Sequence, residues 1–247
     1  GPCQRRRTPR LIDGIVFMSI CGPFDPELSD LPETMPVFPL SGALLLPRGH
    51  LPLNIFEPRY MNMVTDALGQ DRIIGMIQPR PDQNNAYFMD PENPKIFSTG
   101  CAGRITAFSE TDDGRFLITL TGVCRFNVIE ELPENSGGYR RVRGDFDPWR
   151  DDLEIPEAND MPINRDRLRM ALEAYFAQHS LRSCWDTLAD SDDEMLITTI
   201  SMGCRLSPLE KQALLECTTL YDRGDMLTTL LEMAVHADPK QTYSNSN

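Results

Sequence analysis

Apolar residues follow two rhythms along the 247-residue chain. Up to about residue 147 they come in short blocks punctuated by Gly and Pro, and from 163 onward they recur at the 3.6-residue period of a helix. In the first part, DRIIGMIQ at 71–78 reads as a buried strand ended by Pro79. The run GCAGRITAFSETDDGRFLITLTGVCRFNVIEEL, starting at Gly100, holds two β-rich segments on either side of Asp113-Gly114. That dipeptide suits the positive φ angles of a hairpin turn. Gly122 marks a bulge or bend where the second strand runs on through 123–129, and 139–146 reads as a further strand. One helix interrupts: Tyr60, Met61, Val64, Ala67 and Leu68 share a helical face, and Gly69 stops it, which predicts a helix over 58–68.

The second part predicts helices near 163–180, 192–203, 208–219 and 222–237. Leu168, Leu172, Tyr175, Phe176 and His179 share one face of the first. Ser191 with Glu194, and Ser207 with Glu210, have the spacing of a capping box, and Pro208 suits a first helical position. The expected organisation is α+β: a disordered leader over 1–33, a β-rich subdomain over 34–147, a linker over 148–162, a helical subdomain over 163–238 and a tail over 239–247. The chain opens on Gly, and Met18 begins an acidic, proline-containing leader, so residues 1–17 are expected to be additional to the natural start.

Residues 35–60, MPVFPLSGALLLPRGHLPLNIFEPRY, fit neither rhythm, because Pro36, Pro39, Pro47, Pro52 and Pro58 interrupt long apolar runs. A membrane-seeking segment, a PxxP-type ligand and a set of edge strands compete as explanations. The unbroken aliphatic run ALLL at 43–46 is far short of the ~18–20 residues that cross a bilayer. Proline is tolerated at strand starts, edges and bulges, so the stretch reads as short strands entering, bending and leaving a sheet.

Charge narrows the function classes. Lys and Arg number 24 against 37 Asp and Glu, a net charge of −13, with arginines spread along the chain, so a phosphate backbone is a disfavoured partner. Seven cysteines form no CxxC pair and leave one over, the pattern of core thiols in a reducing compartment, which predicts a cytoplasmic protein. Catalytic chemistry is sparse. His50, His179 and His236 have no metal-ligand spacing, and there is neither a GxxxxGK[ST] phosphate loop nor a GxSxG nucleophile elbow. Lys211, in the first turns of a capped helix, reads as a solvated surface lysine. Asp151-Asp152 reads as linker charge, Asp192-Asp193 as helix-start charge, and Arg223-Gly224-Asp225 as a chance tripeptide. No catalytic residue, metal or cofactor is assigned. One loop has the composition of a contact site: PRPDQNNAYFMDPENPK sets Tyr87, Phe88 and Met89 among polar turn residues.

The order of these features resembles the Lon N-terminal, substrate-binding domain family. Pro36, Pro39 and Leu40, then Pro47 or Arg48 leading to Pro52 and Leu53, then Glu57-Pro58-Arg59-Tyr60, follow its opening pattern. IFSTGCAGRI, DGRFLITLTGVCRF and LSPLEKQALLECTTLYDRGDMLTTLLEMA continue it in register, so the resemblance covers about 34–237. It implies a PUA-like, partly closed β barrel followed by a C-terminal helical bundle, in a stand-alone form without the ATPase and peptidase domains. It also implies a non-catalytic module that grips unfolded or apolar polypeptide segments, or a partner protein, as an adaptor in protein quality control. Neither nucleic acid nor membrane is expected as a partner. Candidate contact residues, chosen by apolar loop chemistry, are Tyr87, Phe88, Met89, His50 and Phe56. A small hydrolase with His50 as base is the enzymatic alternative, and an RNA-binding barrel is disfavoured by charge.

Overall fold

The computed structural model describes residues 11–12, 15–16, 26–81, 94–133, 135–154, 163–179 and 185–236. Two dipeptides, Leu11–Ile12 (β1) and Ile15–Val16 (β2), pair antiparallel. The main sheet has six strands: Thr34–Pro39 (β3), His50–Ile55 (β4), Ile73–Ile77 (β5), Thr99–Glu110 (β6), Phe116–Leu132 (β7) and Arg141–Asp145 (β8). Their order is β4-β7-β6-β5-β3-β8, mixed because β3 and β5 run parallel. The helices are Pro58–Leu68 (α1), Arg165–Gln178 (α2), Trp185–Leu188 (α3), Asp193–Gly203 (α4), Pro208–Glu216 (α5) and Leu220–His236 (α6).

The long strand β7 organises the sheet. Its first half pairs with β4 on one side and β6 on the other, and its second half pairs with β6 and β8. Since β8 also pairs with β3, the strands β7-β6-β5-β3-β8 close on themselves while β4 is left projecting. The barrel is thus partly closed, and among the described residues no strand covers the outer side of β4. Opposite Ala102 and Gly103, strand β7 places Cys124 and Gly122, leaving Val123 as the extra residue of a bulge beside the predicted glycine. Gly114 takes the predicted left-handed conformation in the hairpin turn, with φ of 79°.

All five residues of β5 are buried, as its continuous apolar run predicts. The proline stretch is scaffold. Pro36 and Pro39 lie in β3, Pro52 in β4 and Pro58 at the start of α1. Between them Leu44, Leu45 and Leu46 are almost fully buried. These leucines belong to one contiguous core that also takes in Ile118 and Leu120 of β7 and Leu168, Leu172, Leu196, Leu214 and Leu227 of the helices. A second cluster, including Met35, Val37, Phe126 and Val142, fills the barrel.

Three local readings change. Lys211 is buried, not solvated, and its Nζ donates to the Gly42 carbonyl at 2.9 Å, fastening α5 to the loop after β3. Asp152 lies in a 3-10 turn, Asp147–Leu153, where it is buried against Arg125, so it is not linker charge. The cap of α4 is Asp192, which accepts from the Met195 N–H, while Glu194 turns away to bind Arg48. The Ser207–Glu210 box forms as expected. His179 stacks on Tyr175 with ring centroids 4.2 Å apart.

Cys101, Cys124, Cys204 and Cys217 are buried as thiols. Burial, reinforced by the Asp152 carboxylate, pushes Cys124 up to about 12 from the usual 9.0. Its folded pKa exceeds its unfolded one, so its stabilising contribution is complete below the unfolded value and is lost as pH climbs through the folded one. Urea midpoints are expected to fall between pH 9 and about 12, and Cys124→Ala to flatten part of that fall.

Candidate functional site

In an antiparallel strand, alternate residues face opposite sides. Along β4 the pattern is clear: His50, Pro52 and Asn54 are exposed, Leu51 and Leu53 are half-buried, and Ile55 is buried. Phe56 follows the strand and is 63% exposed. Across the ladder, Asn54 faces Leu117, which is 45% exposed and in turn pairs with Ser109 of β6. Phe108, 44% exposed, meets Phe116 edge-to-face with centroids 5.0 Å apart. The cause is geometric: β5 pairs with β6 only as far as Arg104, and residues 106–110 of β6, beyond that pairing, are all exposed. An open groove of about 410 Å³ crosses the three strands here, lined by Pro52, Asn54, Ala107, Phe108, Leu117 and Thr119 among others.

His50 stands at the opposite end of β4, about 20 Å from Phe56 at ~3.3 Å per residue. Its Nδ1 is 3.0 Å from Thr121 Oγ1, which contacts Thr106 Oγ1 at 2.9 Å. Although the side chain is exposed, partial desolvation against the sheet lowers its pKa below 6.5, so the imidazole is neutral at neutral pH. Among the described residues no carboxylate hydrogen-bonds the ring, so the group that would orient and charge-stabilise a general base is lacking there. No group of three or more His, Cys, Asp or Glu residues is placed to hold a metal among the described residues.

The structure therefore puts His50 and Phe56 on one strand but not at one point. Tyr87, Phe88 and Met89 lie outside the described residues. Phe108 and Leu117 were missed in the sequence, although a signal was present. Phe116-Leu117 is an apolar pair that places bulk on both faces of a strand, where a half-buried strand would carry a polar residue on one. Elsewhere, Met170 and Met233 are 67% and 61% exposed on α2 and α6, which Arg167 joins by binding both Asp225 and Glu232.

These features define a class: a mixed-sheet half-barrel with a free strand edge, sharing its core with a helical bundle. Within that class the chain belongs to the ATP-dependent protease La (LON) substrate-binding domain family, whose profile matches residues 34–233. It is 26% identical over 204 residues to Lon protease 2 of Myxococcus xanthus, covering 82% of this chain and 24% of that one. It is 27% identical over 215 residues to a Lon protease of Flavobacterium johnsoniae, covering 83% and 24%. The chain thus spans about a quarter of the length of the curated relatives it matches. The fold is shared with the crystal structure of a Lon N-terminal domain protein from Xanthomonas campestris, with a TM-score of 0.53 and 21% identity, covering 79% of this chain and 97% of that one. The N-terminal domain of a Mycobacterium avium complex Lon protease also has a TM-score of 0.53, at 16% identity, covering 80% and 97%. No helix among the described residues is long and apolar enough to cross a membrane.

Proposed function

We propose that this domain is a non-catalytic recognition module that holds exposed apolar segments of polypeptides, acting as an adaptor in cytoplasmic protein quality control. The observation that carries this reading is exposed apolar surface at the projecting end of the sheet, with Leu117 beside Asn54 on one face, Phe56 just past the end of β4 and Phe108, paired with Ile118, on the other face. Its family's substrate-binding description supports the same role. Nothing in recognition of this kind requires a nucleophile.

Magnitudes set the affinity. Burying Phe56 and Leu117 contributes up to about 1.5–3 kcal/mol each. Association and ordering costs of several kcal/mol offset most of that, which leaves weak binding, with Kd on the order of millimolar. The test is a titration of a fluorescently labelled, permanently unfolded protein with the native domain and with a Phe56→Ser, Leu117→Ser variant. Both positions are exposed, so the variant keeps its fold, checked by circular dichroism. Its affinity is expected to fall at least about tenfold, the loss of roughly 1.4 kcal/mol of apolar contact. Unchanged affinity would remove this surface from the binding account.

A further inference from the structure

The backbone of β4 adds a feature that the apolar surface alone does not supply. The Gly122 N–H donates to the Gly49 carbonyl at 2.8 Å, and the Arg48 N–H donates to Gly122, also at 2.8 Å, so the 49/122 position is hydrogen-bonded. Hydrogen-bonded and non-hydrogen-bonded pairs alternate along an antiparallel ladder. The pairs Leu51↔Leu120, Leu53↔Ile118 and Ile55↔Phe116 are therefore the bonded ones. In His50↔Thr121, Pro52↔Thr119 and Asn54↔Leu117 the backbone groups point away from the partner strand. Pro52 fits this assignment, since a proline at a bonded position would delete a ladder bond. Among the described residues no strand pairs with the outer side of β4. The free edge thus presents carbonyls of His50, Pro52 and Asn54 and N–H groups of His50 and Asn54, with the central donor missing.

We propose that this edge is a strand-addition site for an extended, uncharged client segment, and that Pro52 weakens it by withholding the central donor. The proposal deepens the recognition role stated above and rests on it. The chemistry of the edge selects the occupant. Alternating unpaired carbonyls and N–H groups match an extended backbone rather than a helix, whose own groups are already paired. The strand HLPLNI and the facing FLITLT carry no charged residue once His50 is neutral, so a charged segment would gain no partner there. A second copy of this chain is the poorer occupant. It would bring its own Pro52, so a symmetric edge-to-edge pair lacks the central donor twice, and proline on an edge is a known device against such pairing. Pro52 thus favours brief engagement with clients over self-association.

The test uses the full chain and two probes: a short capped peptide alternating valine and threonine, and the same peptide N-methylated at its interior amides. Methylation keeps the side chains and removes the main-chain donors. The parent peptide is expected to bind and the methylated one to lose at least about tenfold, the effect of two or more net hydrogen bonds. Pro52→Ala restores the donor without touching the bonded side of β4, and is expected to tighten the parent peptide by about fivefold, the worth of one such bond. Equal binding of both peptides, or a Pro52→Ala chain that binds no tighter, overturns the edge assignment while leaving recognition by apolar side chains standing. A Pro52→Ala chain that dimerises in sedimentation without binding peptide more tightly overturns it in favour of a second copy. If neither the peptides nor an unfolded protein binds, the recognition role and the edge assignment fail together.

Discussion

Asp152→Ala is expected to destabilise the protein by about 3–5 kcal/mol, the cost of stripping one partner from a buried ion pair. Arg125 and Asp152 are 5% and 8% exposed. Asp152 Oδ2 accepts from the Arg125 backbone N–H and from Nε, both at 2.9 Å, and Oδ1 accepts from Nη2 at 2.7 Å. The guanidinium also donates to the Leu215 carbonyl at 3.0 Å and lies 3.9 Å over the Trp149 ring. It therefore joins β7, the turn after β8 and the end of α5. A second cation is close. Burial, and then Arg125 itself, pull Arg223 down to about 10, while Asp152 pulls in the opposite direction. Without Asp152 two buried guanidinium groups would face each other uncompensated. Urea denaturation at neutral pH, with the m-value held constant, measures the loss. A change under about 1 kcal/mol, the range of exposed pairs such as Arg150–Asp147, would show that the joint is not a stabilising centre. Replacing both partners with apolar residues, Arg125→Met and Asp152→Leu, is expected to recover much of the loss.

Gly122→Ala is the second large effect. A Cβ there would lie 2.0 Å from the Leu46 carbonyl oxygen and 2.7 Å from its carbon. Both are backbone atoms, held by Leu44, Leu45 and Leu46 in the core, so relief requires moving the buried leucine run as a unit. The expected cost is about 3 kcal/mol, at the high end for overpacking. Gly114→Ala separates close approach from backbone conformation. Nothing lies within 4 Å of its Cβ, but φ is +79°, so only the left-handed penalty of about 1–2 kcal/mol applies. Equal costs at the two sites would remove the close approach of the Leu46 carbonyl as the cause of the larger effect at Gly122.

Much of the scaffold was legible in the sequence because local chemistry determined it. Asp113-Gly114 specified the hairpin, Gly122 the bulge, Ser207 and Glu210 the start of α5, and Pro58 the start of α1. What local pattern could not show were contacts across long separations. Asp152 and Lys211 look like ordinary surface charges until Arg125 and the Gly42 carbonyl, far away along the chain, meet them in the core. Glu194 has the spacing of a capping residue, yet Arg48 claims it and Asp192 takes the cap. At the surface, the free edge at β4 depends on which strands close the barrel, and strand order is not written in the period of any one segment. Phe56 could be chosen from composition, whereas Phe108 acquires meaning only once β5 is seen to stop pairing at Arg104, and Leu117 only once it is seen opposite Asn54 of β4.

The central claim is that this domain recognises the unfolded state of other polypeptides through uncharged surface. The most direct measurement is a titration of the native domain with one model protein in its permanently unfolded and its native form, at about 0.05 M and 0.5 M salt, a range over which exposed charge interactions are screened. The account predicts weak binding of the unfolded form, on the order of millimolar, native-form binding at least about tenfold weaker, and less than about twofold change with salt. Equal affinity for the two forms, or binding that disappears at the higher salt, would contradict it.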